Sequence, residues 1–270
     1  MFRSCNRLFP AMAAGIMLLF SASIGQCHNL WMNATDYAPN FRAKTGAHTK
    51  IYFGFGHKFP VADLLEKNKL TEFNLVQPGG TVKELEAEEG GFLVTPIVLK
   101  KEGGHIVTAA TRHGFYSMYE EKGKIHHKLA SMEGLENVVL SLYYENYTKA
   151  LINAGESAPD AFSTPVGHNI EIVPLDNPFL KSPGDFLKVK VLLDGKPARY
   201  CNVFATYIGF SPKEAYAWTS KTNAKGINNV KLLQSGQWIV KAVVRLPPSE
   251  ENKGKVLEEK YTATLSFQVN

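Results

Sequence analysis

The 270 residues carry 44% hydrophobic and 20% charged side chains, with 22 glycines, 14 prolines and a formal net charge of +5. That balance excludes a disordered or fibrous chain and leaves room for one large domain or two of ordinary size. Basic and acidic residues are interspersed, so nothing resembles a nucleic-acid footprint.

The start reads as a secretion signal. Arg3 and Arg7 precede the apolar run Leu8–Phe20, and small residues follow in Ser21–Gln26. A membrane span needs about 20 apolar residues, so this run is too short to anchor the chain. The expectation is a signal over residues 1–27, no transmembrane anchor in the mature chain, and a periplasmic location. Two cleavage points fit the pattern. A cut after Cys27 makes His28 the first residue, and a cut after Gly25 leaves Gln26-Cys27-His28 at the start. Gln26 stands where a lipid-attachment signal would have a small residue, which argues against a lipid anchor on Cys27. Removing residues 1–27 takes two arginines and no acid, so +5 becomes +3.

The three cysteines are Cys5, Cys27 and Cys201. Cys5 leaves with the signal, and a cut after Cys27 leaves Cys201 alone. The earlier cut leaves Cys27 and Cys201, which could pair. In neither case does the fold depend on a disulfide framework.

Beyond the signal, short β-rich runs alternate with turn signals, as in sandwiches and barrels. Strands are expected over Thr49–Phe55 and Phe92–Leu99, and a long one over His105–Tyr119. A turn at Glu121–Lys124 leads to a return from Ile125. Leu140–Asn153 has apolar residues at spacings of three and four and ends near Gly155, which predicts a helix. Its tyrosines, Tyr143, Tyr144 and Tyr147, would then share one packed face, although stacking on a sugar is the other use for them. A loop over Glu156–Thr164 follows, and Gly167–Leu175 returns to the extended state.

The cluster Asp176-Asn177-Pro178 with Ser182-Pro183-Gly184-Asp185 marks a domain boundary. After it, strands are expected over Phe186–Leu193, Tyr200–Tyr207, Thr219–Thr222, Ile227–Leu233, Gly236–Val244 and Tyr261–Val269. Asp194-Gly195 and Asn223–Gly226 are the turns between them. The expected fold is all-β, with two antiparallel β-sandwich domains. The first, over 28–178, carries the helical insertion, and the second, over 179–270, is immunoglobulin-like or transthyretin-like.

The chain has no G-x-S-x-G, phosphate loop, C-x-x-C or H-E-x-x-H, so the expectation is a binding protein and not an enzyme. Eight histidines follow the signal: His28, His48, His57, His105, His113, His126, His127 and His168. As a new N-terminus, His28 could chelate one ion through its amine and its imidazole Nδ1; otherwise it heads a strand above Leu30 and Trp31. Either N-terminus suits Ni²⁺, Cu²⁺ or Zn²⁺. His57, in Gly56-His57-Lys58-Phe59-Pro60, falls at the rim of a sheet where loops build sites, or in a solvated turn. His113 lies mid-sheet among aromatics. His105, after Gly103-Gly104, reads as a solvated turn residue too far along the same strand to share an ion with His113. His126 and His127 face opposite ways on a strand, and His48 lies at the surface. Two competing readings are a carbohydrate-binding or adhesin-like sandwich with incidental histidines, and a copper enzyme built on an N-terminal His chelate.

The chain also resembles an exported family of unknown function commonly described as the periplasmic component of nickel or cobalt uptake. The resemblance rests on His28-Asn29-Leu30-Trp31, on Gly56-His57-Lys58-Phe59 and on Tyr147-Thr148-Lys149-Ala150-Leu151. Further on it rests on Val166-Gly167-His168-Asn169-Ile170-Glu171-Ile172-Val173-Pro174-Leu175 with Asn177-Pro178, and on Asp194-Gly195-Lys196-Pro197-Ala198. It spans nearly the whole mature chain, and its most specific block is Gly167–Leu175. It implies a protein that binds Ni²⁺ or Co²⁺ and hands it to a membrane transporter component, with His28 and His57 as metal residues. His113 joins them from the residue reading alone.

Overall fold

The computed structural model describes residues 28–270; the expected signal, its cleavage points and Cys27 lie outside the described residues. The first half holds β1 (Asn29–Ala34), β2 (Ala47–Gly56), β3 (Leu70–Val76), β4 (Val82–Glu84) and β5 (Thr95–Leu99). It continues with β6 (Gly103–Thr111), β7 (Gly114–Glu121), β8 (Lys124–Lys128), β9 (Val138–Ala154) and β10 (Ile170–Pro174). The second half holds β11 (Phe186–Leu193), β12 (Lys196–Pro197), β13 (Asn202–Tyr207) and β14 (Trp218–Lys221), then β15 (Ile227–Lys231), β16 (Gly236–Leu246) and β17 (Glu258–Val269). The protein is all-β, as expected. Among the described residues no helix is long and apolar enough to cross a membrane.

The strands form three sheets. A ten-stranded sheet runs β14-β13-β16-β17-β9-β6-β3-β4, with β7 also on β9 and β8 on β7. A three-stranded sheet runs β1-β2-β5, and a four-stranded one joins β10, β11, β12 and β15. The expected boundary near residue 178 falls in the 3-10 turn Pro178–Leu180. Strands from both sides of it share the large sheet, because β17 lies parallel to β9, with Thr262 beside Asn146 and Thr264 beside Thr148.

The predicted helix over Leu140–Asn153 is instead the 17-residue strand β9. Successive side chains of a strand point to opposite faces. The Thr148 hydroxyl lies 2.8 Å from that of Thr264, which itself donates to the Leu30 carbonyl of β1. Lys149, on the other face, donates to Glu171 of β10 at 2.5 Å. The molecule is therefore three layers deep here, and β9 is buried on both sides. A strand covered on both faces loses the polar alternation that marks a strand, and its apolar residues then fit a helical period by coincidence. For the same reason Tyr143 and Tyr147 share a face, while Tyr144 points the other way.

The long strand expected over His105–Tyr119 is interrupted. Three residues, Thr111 to His113, stand opposite two, Glu145 and Asn146, between the pairs Ala110–Tyr147 and Gly114–Tyr144. Such an extra residue makes a bulge, and here it swings His113 out of the ladder. The second half follows its sequence pattern closely. β11 spans the predicted residues, and its turn places Asp194 and Gly195 at φ +50° and +70°, the geometry of a two-residue hairpin.

Candidate functional site

The ladder between β1 and β2 pairs Asn29 with Gly56, so the residues just beyond the pair, His28 and His57, are brought face to face. Their rings meet edge to face with centroids 4.9 Å apart. Two glycines of the Phe53-Gly54-Phe55-Gly56 run permit this. The Trp31 indole lies flat on Gly54, where a Cβ would sit 2.0 Å from Nε1. Gly56 has φ +135° and packs against Ala62, which brings Asp63 back over the strand end. The Asp63 amide donates to the Phe55 carbonyl at 2.7 Å. Trp31 Nε1 and Asn33 Nδ2 both donate to the Pro60 carbonyl, at 2.8 and 3.0 Å, and so pin the loop that carries His57.

Two carboxylates flank the imidazoles. Asp63 Oδ2 is 3.5 Å from His28 Nε2, and Glu214 Oε2 is 4.0 Å from His57 Nδ1. Burial lowers the pKa of His57, opposed by Glu214 and reinforced by His28, Lys260 and Lys241. The shift favours the neutral ring, the form with a lone pair to offer. Beside it opens a cleft between the β1 layer and the large sheet, lined among others by Asn29, Trp31, Phe59, Tyr216 and Lys241. Asn29 Oδ1 is buried and finds no hydrogen-bond donor among the described residues. Among those residues no three His, Cys, Asp or Glu side chains converge on one point.

His113 lies apart from this pair. Its ring nitrogens are 3.3 Å from the Tyr143 hydroxyl and 3.1 Å from that of Tyr147, on the β9 face that carries Glu145. The His28 carbonyl accepts from Asn146, whose side chain projects from the opposite face. The two tyrosines donate to separate oxygens of Glu145 at 2.9 and 2.8 Å, and Asn169 adds a third donor. His168 joins the same wall through Glu72, 2.9 Å from its Nε2.

His105 corrects the expectation of a solvated turn: it is completely buried on β6, with Nδ1 3.0 Å from the Gly103 carbonyl. Its pKa is lowered by that burial. Gly103-Gly104 opens a strand because Phe162 and Ala161 close on Gly104, leaving less than 3.0 Å for any Cβ. His48 is exposed, as expected, and on β8 His127 is exposed while His126 is partly covered. Cys201 is a buried free thiol whose pKa is pushed up to about 12 by burial. Sequence reading missed Asp63, Glu214 and Lys241. Lys241 alone had a signal, as the single charge in the apolar run Gly236–Val244.

Fold and geometry define an all-β protein with an imidazole pair and two flanking carboxylates at the end of its β1–β2 ladder. The profile of the family described as "Domain of unknown function (DUF4198)" matches residues 25–246, and the chain belongs to that family. No curated protein matches it. Among solved structures, one similar chain is the tetra-tandem repeat in the extending region of a large adhesion protein. It is 10% identical, with 90% of this chain and 74% of that one covered and a TM-score of 0.23. Another is the D00-D0 domain of intimin, 12% identical, with 89% and 99% covered and a TM-score of 0.20.

Proposed function

We propose that this chain binds a divalent transition metal, Ni²⁺ or Co²⁺, through His28 and His57 in the periplasm and passes it to a membrane transporter. One observation carries the reading: two histidines far apart in sequence meet at a strand end with their rings in contact and no hydrogen bond between them. Neutral imidazoles are good ligands for such ions, and the fold lowers the pKa of one of them. The orphaned Asn29 Oδ1 beside them would accept from a water held by the ion. If export leaves His28 as the first residue, its amine adds a donor next to its own imidazole. The finer architecture, a metal-binding half over 28–178 and an immunoglobulin-like half over 179–270, belongs to the same proposal. It is supported by the antiparallel run β13-β16-β17 in the second half.

The test is Ni²⁺ titration of the exported protein, its N-terminus fixed by native mass spectrometry, beside His28→Ala and His57→Ala. The expected outcome is one ion per chain and a loss of at least about 100-fold in affinity for each variant, roughly 2.7 kcal/mol. A chain that stays metal-free at micromolar Ni²⁺, or variants that bind as tightly as the parent, would overturn the reading. A glycan that raises the melting temperature where metals do not would replace it with the carbohydrate-binding one.

A further inference from the structure

Glu214 belongs to the connection between β13 and β14, residues 208–217, and comes from the half of the chain opposite to both imidazoles. Its carboxylate stands between two groups and closes on neither. Oε2 is 4.0 Å from His57 Nδ1, and Oε1 is 3.9 Å from Lys241 Nζ. Both separations exceed a hydrogen bond. Among the described residues only Tyr216 holds it, donating to Oε1 at 3.2 Å. The Lys241 ammonium is engaged elsewhere, bonded to the Tyr216 hydroxyl and lying 4.6 and 5.2 Å from the ring centres of Tyr216 and Phe204.

A carboxylate whose role was to neutralise a buried ammonium would be expected to contact it at about 2.7–2.9 Å. The 4.0 Å gap to His57 has another natural reading. It is about twice the bond of roughly 2.0–2.1 Å that imidazole and carboxylate each make to Zn²⁺, taken as a guide for such ions. An ion in that gap reaches both groups with little movement of either. A second observation points to the same place, since the orphaned Asn29 Oδ1 lines the same cleft.

The geometry points to Glu214 as a further donor to the ion held by His28 and His57. The inference rests on the metal-binding reading above. Among the described residues it gives the site a mixed nitrogen and oxygen donor set, which suits a borderline divalent cation over a soft monovalent one. It also makes the bound ion a clasp between the β1–β2 ladder and the β13–β14 connection.

The experiment uses the full exported chain, with Ni²⁺ followed by calorimetry and Co²⁺ by its visible ligand-field bands. Glu214→Gln is expected to bind Ni²⁺ about tenfold more weakly and to shift the position and intensity of the Co²⁺ bands. Loss of a nearby but unbound charge would weaken affinity and leave those bands in place, so unchanged bands, or unchanged affinity, overturn the inference. The two levels fail separately. A parent chain that binds no ion sinks the metal reading itself. A parent that binds, loses the ion on His28→Ala and His57→Ala, and keeps it unaltered in Glu214→Gln, sinks only the role of Glu214.

Discussion

Two pairs of histidines lie on opposite faces of β9, and they differ in what their neighbours leave unfinished. His113 and His168 belong to a wall in which the carboxylates are spoken for: Glu145 receives Tyr143, Tyr147 and Asn169, and Glu72 receives Thr108 while contacting His168. At the other end His28 and His57 touch only through their rings, and their carboxylates stand 3.5 and 4.0 Å away. Composition is nearly the same in both places, histidines with glutamate or aspartate and aromatics. What separates them is how far the carboxylates are occupied, since His168 Nδ1 is, like Asn29 Oδ1, buried without a hydrogen-bond partner among the described residues. A carboxylate with all its donors in place is structural, whereas one held just out of contact is available to a ligand.

Ways to break that contrast can be ranked by size. The largest effect is expected beneath the saturated wall, at the buried pair of Lys149 and Glu171, both side chains only 2% exposed. Lys149→Ala strands a carboxylate inside the three-layer centre and should cost about 3–5 kcal/mol in urea unfolding. Ni²⁺ affinity of the folded fraction should stay as it was, and an unshifted urea midpoint would show that the pair does not hold the layers together. His113→Ala comes next. It removes the contacts to two phenols, so about 1 kcal/mol of stability should go, again with Ni²⁺ affinity intact. Should affinity collapse as it does for His57→Ala, His113 shares the ion after all and the two faces are one site.

The smallest effect is one of pH. Protons compete with the metal for imidazole nitrogen, so acidification must weaken binding. Because burial lowers the pKa of His57, that ring keeps its lone pair below the ordinary value of 6.5, and its share of the affinity is lost later than for a solvated histidine. Competition titrations from about pH 7.5 to about pH 5.5, spanning the reference imidazole pKa, should show a decline. Equal affinity at both ends would mean that neither imidazole is a ligand.

Much of the fold was legible where one face of a strand meets solvent. Phe186–Leu193 alternates and is β11, and Asp194-Gly195 announces its turn. Legibility failed where burial is two-sided. β9 reads as a helix because both of its faces are covered, and His105 reads as a turn residue because nothing local announces that Phe162 will close over Gly104. The site was legible in part. The residue types and the strand-end placement of His57 were visible, but its meeting with His28 depends on the β1–β2 register, which spacing does not give. Glu214 arrives on a connection from the other half of the chain, and no local pattern could have pointed to it.

The parallel pairing of β9 with β17 has a consequence for the order of assembly. β17 sits between β16 and β9, so it completes the middle of the ten-stranded sheet although it is the last of the strands described. Until it arrives, one edge of β9 and one edge of β16 are bare, and bare edges invite pairing with other chains. The first half therefore cannot finish itself while the second is still being made. Contacts so distant in sequence also slow the search for the native state, so the large sheet should form only after β17 has been made.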